Sequence, residues 1–215
     1  MTGTILTPEE VVDRFSAKFG TGIQEASIRE KREGKKKIPH YTIWIELDRE
    51  LLRPAIQALI EIRYPHLSVI AGNDLGDSIR LVYIFSIQYG EIRSEYMVTL
   101  AVTLPKDDLF VPTISDLIPG AVFGEREKQE FFGVTVTGIP DGRRLFLPRD
   151  FPEGVYPWRR DETGIPDSMI RDLWASKRPT DRPAPPVEEK EACEIEGGEE
   201  KPAEPRGKGE EEGSQ

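Results

Sequence analysis

Residues 79–87 read IRLVYIFSI, and this run decides the fold. Ile79, Leu81, Tyr83, Phe85 and Ile87 recur every second position, the signature of a strand in a sheet with one buried face. Working outward, 66–71 and 95–104 have the same character. Gly72-Asn73-Asp74 and Gln88-Tyr89-Gly90-Glu91 supply turn chemistry between the three runs. Further upstream, 23–28 and 41–47 alternate in the same way, and REKREGKKKIP (29–39) between them reads as the exposed tip of a long hairpin.

Helical signals flank these strands. Thr7-Pro8-Glu9-Glu10 places a cap, a proline at the first helical position and a reciprocal glutamate before Val11, Val12, Phe15 and Phe19 at helical spacing, and Gly20 closes the segment. Asp48 is expected to cap a second helix carrying Leu51, Leu52, Ile56, Leu59 and Ile60, its regular part starting near Arg53 because Pro54 disfavours an interior position. Thr113-Ile114-Ser115-Asp116 resembles a capping box opening a short helix that Pro119-Gly120 interrupts. A last helix is expected over 123–132. It would place Glu125 and Glu127 in its first turn, pair Arg126 with Glu130 one turn on, and end at Gly133 as the left-handed residue. The order α-β-β-α-β-β-β-α implies an α+β sandwich, with helices packed on one face of a mostly antiparallel sheet. Val134–Gly138 then reads as a short strand entering a Pro140-Asp141-Gly142 turn.

Composition divides the chain further. Charged residues make up 32% of the 215, with a net charge of −10, but from Pro179 onward there are 12 acidic and 5 basic residues, leaving the rest near balance. The expected organisation is an α+β body over 1–133, an extended partner-binding arm over 134–178, and an acidic, Pro/Gly/Glu-rich tail over 179–215 that is too polar to fold alone. No apolar run is long enough to span a bilayer, and MTGTILTPEEVV lacks the blocks of a signal peptide, which suggests a cytoplasmic chain.

The run 111–160, VPTISDLIPGAVFGEREKQEFFGVTVTGIPDGRRLFLPRDFPEGVYPWRR, is rich in charge and poor in catalytic chemistry. Its ordered elements are Pro112, Thr113, Glu125-Arg126-Glu127, Glu130, Phe132-Gly133, Gly138, Pro140-Asp141 and Arg143-Arg144. Over about 50 residues this pattern resembles the 30-kilodalton subunit family of respiratory complex I and its relatives in membrane-bound hydrogenases. Many respiratory members carry His where this chain has Ile139. The segment 145–166, LFLPRDFPEGVYPWRRDETGIP, is more similar to the archaeal membrane-bound [NiFe] hydrogenase and sulfane-reductase branch.

The resemblance implies a cofactor-free scaffold, peripheral at the cytoplasmic face of the membrane, in a ferredoxin-linked complex that couples electron transport to ion translocation. Its partner would be a large subunit related to the [NiFe] hydrogenase large subunit and the complex I 49-kilodalton subunit. Fe–S subunits would lie nearby and membrane subunits would be reached indirectly, so the Fe–S clusters and any NiFe centre sit in other chains. Glu125, Arg126, Glu127, Glu130, Phe132, Gly133, Asp141, Arg143 and Arg144 would then be fold-defining or partner-facing. Trp158, with Tyr156 and Trp174, would be an aromatic anchor on the arm, free either to face a partner or to fold back.

Other readings have distinct requirements. A stand-alone hydrolase would use Glu127 and Glu130 as convergent carboxylates; a respiratory dehydrogenase of the NADH/quinone or F420 type would differ in its electron partners. With Cys193 as the single cysteine, and His40 and His66 in separate segments, the chain lacks the ligands for an Fe–S or zinc centre of its own. The basic run around Lys35-Lys36-Lys37 has acids beside it and no interleaved aromatic platform, which argues against nucleic acid. GNDLGDS (72–78) lacks phosphate-loop spacing, and no small-molecule substrate is expected.

Overall fold

The IRLVYIFSI run lies one strand in from the edge of a five-stranded sheet. The computed structural model describes residues 6–90 and 94–170. The strands are β1 (Ile23–Glu33), β2 (Ile38–Leu47), β3 (His66–Asp74), β4 (Ser78–Ile87) and β5 (Tyr96–Pro105), in spatial order β1-β2-β5-β4-β3. Neighbours are antiparallel except β2 and β5, which run parallel. The register aligns apolar rows across one face: Ile45, Leu100, Tyr83 and Ile70 form one, and Ile43, Val98 and Phe85 another. All seven side chains are buried.

Three helices contribute to that core: α1 (Pro8–Phe19), α2 (Leu52–Ile62) and α3 (Ala121–Phe132). α1 buries Val11 and Phe15, and α2 buries Leu52, Ala55, Ile56, Ala58 and Leu59. Removing each such large side chain from water contributes about 1.5–3 kcal/mol. α1 packs at the β1–β2 side and α3 at β3. Gly72 sets the α3 contact, since a β-carbon there would lie 2.3 Å from the Phe132 ring. The α+β class and helix-strand order read from the sequence are those observed. A short parallel pair, β6 (Phe110–Pro112) with β7 (Thr135–Thr137), brackets α3.

Several local expectations need correction. Thr7 makes its capping box as expected, but Asp48 caps nothing with its side chain. A 3-10 turn over Arg49–Leu51 leads into α2, and the Asp48 carboxylate accepts from Gln24 Nε2 at 2.8 Å. Pro54 falls in the first turn of α2, where its missing N–H costs nothing. The hairpin tip is Gly34–Lys37 only, because the charged residues on either side stay in the ladder, with Lys31 opposite His40. Residues 113–120 form turns rather than a capped helix: the Thr113 hydroxyl is taken by Glu125 and the Asp116 carboxylate by Arg53. α3 starts at Ala121, so Glu125 and Glu127 lie beyond its first turn and gain little from the helix dipole.

Packing does not break at Gly133: Val134 and Val136 belong to the core, and the described residues on either side of it cluster as one compact unit. Trp174, Cys193 and the acidic tail lie outside the described residues.

Candidate functional site

The charged triplet of α3 and the paired arginines meet, but not as the sequence spacing implies. Arg126 does not pair with Glu130. Its Nε donates to Arg143 O at 2.8 Å and its Nη2 to Arg144 O at 3.2 Å, and Asp141 lies 3.5 Å from Nη1. Glu130 instead accepts from three successive backbone amides, those of Leu145, Phe146 (2.9 Å) and Leu147 (2.8 Å). A buried carboxylate bonded this way satisfies a loop that has no ladder partner. Gln129 completes the clamp, reaching Gly142 O and accepting from Val136 N. One face of α3 therefore holds residues 136–147 in place.

Asp141 binds its own loop: Arg143 donates from its backbone N–H at 3.1 Å and from Nε and Nη2 at 2.9 Å. The Arg143 bond holds the Asp141 carboxyl well below the usual carboxylate range. Arg144 continues the chain of contacts, with Nη1 donating to Pro148 O (3.1 Å) and Phe151 O (2.8 Å).

Glu125, one turn before Gln129 on the same helix, is buried, accepting from the Thr113 hydroxyl at 2.6 Å and from Ile114 N at 2.7 Å. Burial pushes its pKa up, and the two donors offset part of that. Arg53 fixes the same turn, donating to the Thr113 carbonyl and bidentately to Asp116 at 2.6 and 2.7 Å. The Arg53 fork lowers Asp116 to about 2. Sequence reasoning missed Arg53: its partners lie some 60 positions downstream, and only the unmatched acid at Asp116 hinted at them.

The other half of the arm returns to α3. Gly133 ends the helix in the left-handed conformation, φ 68° and ψ 28°, as the sequence indicated. Trp158 folds back, stacking on Phe131 with ring centroids 4.3 Å apart and meeting Phe132 edge-on at 5.4 Å. Its backbone N–H donates to Phe131 O at 3.1 Å, and Lys128 Nζ, itself paired with Glu127, lies 4.7 Å from its ring centroid. Arg159 donates to Phe132 O at 2.7 Å and stacks on Tyr156. Asp74, at the end of β3, accepts from Arg160 N at 2.8 Å and pairs with Lys106, which also pairs with Asp161. Burial raises the Asp74 pKa, but the Arg160, Gly76 and Lys106 donors outweigh it and the net shift is downward.

Glu127 and Glu130 thus serve separate networks and border different depressions in the surface. Among the described residues, the depressions that Glu127 and Glu130 line are not shared, whereas the hydrolase reading needs the two carboxylates to converge in one. Among the described residues, no three His, Cys, Asp or Glu side chains gather as a metal site. No helix there is long and apolar enough to cross a membrane. Apolar side chains left outward beside the network include Phe123 and Phe146, each 58% exposed, with Trp158 at 42% and Val69 at 46%.

Comparison with known proteins places this arrangement. Membrane-bound hydrogenase subunit beta of Pyrococcus furiosus is 31% identical over 164 residues, covering 76% of this chain and 90% of the relative. Formate hydrogenlyase subunit 5 of Escherichia coli is 36% identical over 98 residues, 44% of this chain but only 17% of that longer protein. Among solved structures, a chain of the membrane-bound sulfane sulfur reductase, an archaeal respiratory membrane complex, superposes with a TM-score of 0.61. It is 20% identical over 82% of this chain and 98% of its own, a likeness of fold. The family model for the respiratory-chain NADH dehydrogenase 30 Kd subunit matches residues 45–167, more than half of the sequence. The resemblance carried by the Glu-Arg-Glu to Arg-Arg pattern is therefore met, and the chain belongs to the 30-kilodalton subunit family of the respiratory-chain NADH dehydrogenase.

Proposed function

We propose that this chain is a non-catalytic peripheral subunit of a complex I-related, membrane-bound oxidoreductase of the [NiFe] hydrogenase or sulfane-reductase kind. It docks on the large catalytic subunit at the cytoplasmic side of the membrane, and the complex takes electrons from ferredoxin. Fe–S clusters and any NiFe centre are held by the partner chains. The observation that carries this reading is the similarity to the Pyrococcus hydrogenase subunit along 90% of its length, which makes the whole body, and not one motif, the shared unit. The Escherichia relative adds support, because there the matching segment is a small part of a much longer chain, joined covalently to a large remainder.

The site chemistry agrees with a positional role. Arg126, Glu130 and Arg144 spend their hydrogen-bonding capacity on the arm's backbone, which stiffens residues 138–151 without presenting reactive groups. A rigid, aromatic-faced arm is what a lasting subunit contact needs, since pre-organisation reduces the entropy lost on docking. The family description also keeps an NADH/quinone-type complex as a second reading of the electron partner.

Deleting the gene in its native host tests the proposal. The large subunit should leave the membrane fraction, and re-expression of the full chain should return it. A large subunit that stays membrane-bound and fully assembled without this chain overturns the docking role.

A further inference from the structure

The two edges of the sheet are built differently. β1 carries six charged residues out of eleven, among them Arg29, Lys31 and Arg32, the ordinary guard against strand pairing. β3, at the other edge, has no charged residue from Leu67 to Asn73. A bulge interrupts its register with β4 between Leu67 and Val69, but Val69 to Asn73 then pair regularly. Among the described residues, no hydrogen bond reaches the backbone of that regular stretch from any element other than β4. Unpaired, uncharged strand edges are rare on a finished surface because they template a further strand.

The edge is not bare surface. It forms one wall of a groove of about 490 Å³ whose other wall is Glu127, Lys128, Phe132 and Trp158. The groove continues past Val69 and Ile70 to Phe123 and Phe146. Its floor offers backbone donors and acceptors, its far wall offers aromatic faces, and Lys128 is already neutralised by Glu127. At the Asp74 end the exposed Arg160 guanidinium makes no ion pair among the described residues.

Resting on the docking role proposed above, we propose that β3 between Val69 and Asn73 receives an extended segment of the large partner subunit as a sixth strand. The segment's chemistry follows from the groove: apolar side chains on the face toward α3 to lie against Phe146 and Trp158, one on the opposite face beside Val69, and a carboxylate toward Arg160. Main-chain bonds supply affinity in such strand addition, and the aromatic wall supplies register. β1, with its charged edge, stays unpaired.

Amide hydrogen exchange on the full-length chain, free and in the complex isolated from native membranes, tests this. Peptides covering 67–74 should exchange at least about tenfold more slowly in the complex, while those covering 23–33 should not change. The substitution V69K, at an exposed position that leaves the core intact, should lower the recovered large subunit about tenfold. R160E should lower it less. An intact complex in which 67–74 exchange as fast as in the free chain overturns the strand addition and leaves docking standing. Failure of the two chains to co-purify overturns both. Protection already present in the isolated chain and lost on dilution assigns the edge to a second copy, and overturns the proposal in that way.

Discussion

The ring of Tyr156 lies against Gly133 so closely that a β-carbon at Gly133 would stand 2.5 Å from Tyr156 Cζ. The same glycine needs a φ of +68° to end α3. Two independent demands therefore fall on one residue, where the body meets the arm. Gly133→Ala should cost about 1–2 kcal/mol for the left-handed backbone alone, with the ring clash adding to it. Urea denaturation should show a lower midpoint, and limited proteolysis should open the 140–160 segment first. An unchanged midpoint would show that Tyr156 does not hold the arm on the body.

Glu130 is the second point at which the arm is fixed. Glu130→Ala leaves the amides of Leu145, Phe146 and Leu147 without their acceptor, and a loss of about 2–4 kcal/mol is expected, since bonds to a charged acceptor contribute about 1.5–3 kcal/mol and are not additive. Exchange of those three amides should accelerate more than that of the β4 amides, which separates local release from global destabilisation.

Arg126→Ala removes both carbonyl contacts to the Arg143-Arg144 turn while leaving the sheet core untouched. The isolated chain should keep its far-ultraviolet circular dichroism and lose at most about 1–2 kcal/mol of stability. Recovery of the large subunit from membranes should fall, because the turn that shapes the arm is loose. Full recovery with wild-type affinity would separate this arginine from docking.

Acid should weaken the fold in a defined direction. Asp116 is held at about 2 by the Arg53 fork, and Asp141, Asp161 and Asp74 are also lowered. A carboxylate whose folded pKa is depressed stabilises the native state above its unfolded pKa, and that stability is lost as pH falls through the folded value. Stability should thus decline from about pH 4 toward pH 2. Asp116→Asn should flatten part of this decline. Glu125 acts in the opposite sense: its pKa is raised, so its neutral form favours the folded state and ionisation at higher pH costs stability. Glu125→Gln should reduce that cost, and thermal melts from pH 4 to 8 would show the change as a smaller fall.

The sheet was legible because period-two burial is local: Ile79 to Ile87 announce their face without reference to any other segment. The cap at Thr7 and the stop at Gly133 were legible for the same reason. Partnerships across the chain were not. Arg126 and Glu130 have the spacing of a helical ion pair, yet the carbonyls at 143–144 and the amides at 145–147 compete better because they lie in a loop with no ladder of its own. Thr113 and Asp116 have the spacing of a capping box, but Glu125 and Arg53 claim their side chains from other elements. The groove beside β3 had no signal beyond the absence of charge in 67–73.

Affinity isolation of the full-length chain from detergent-solubilised native membranes, with identification of every companion by mass spectrometry, tests the central claim most directly. The account predicts a stoichiometric large subunit related to the [NiFe] hydrogenase large subunit, accompanied by Fe–S and integral-membrane chains. Recovery of the chain alone, with a bound metal or a turnover of its own, would contradict it.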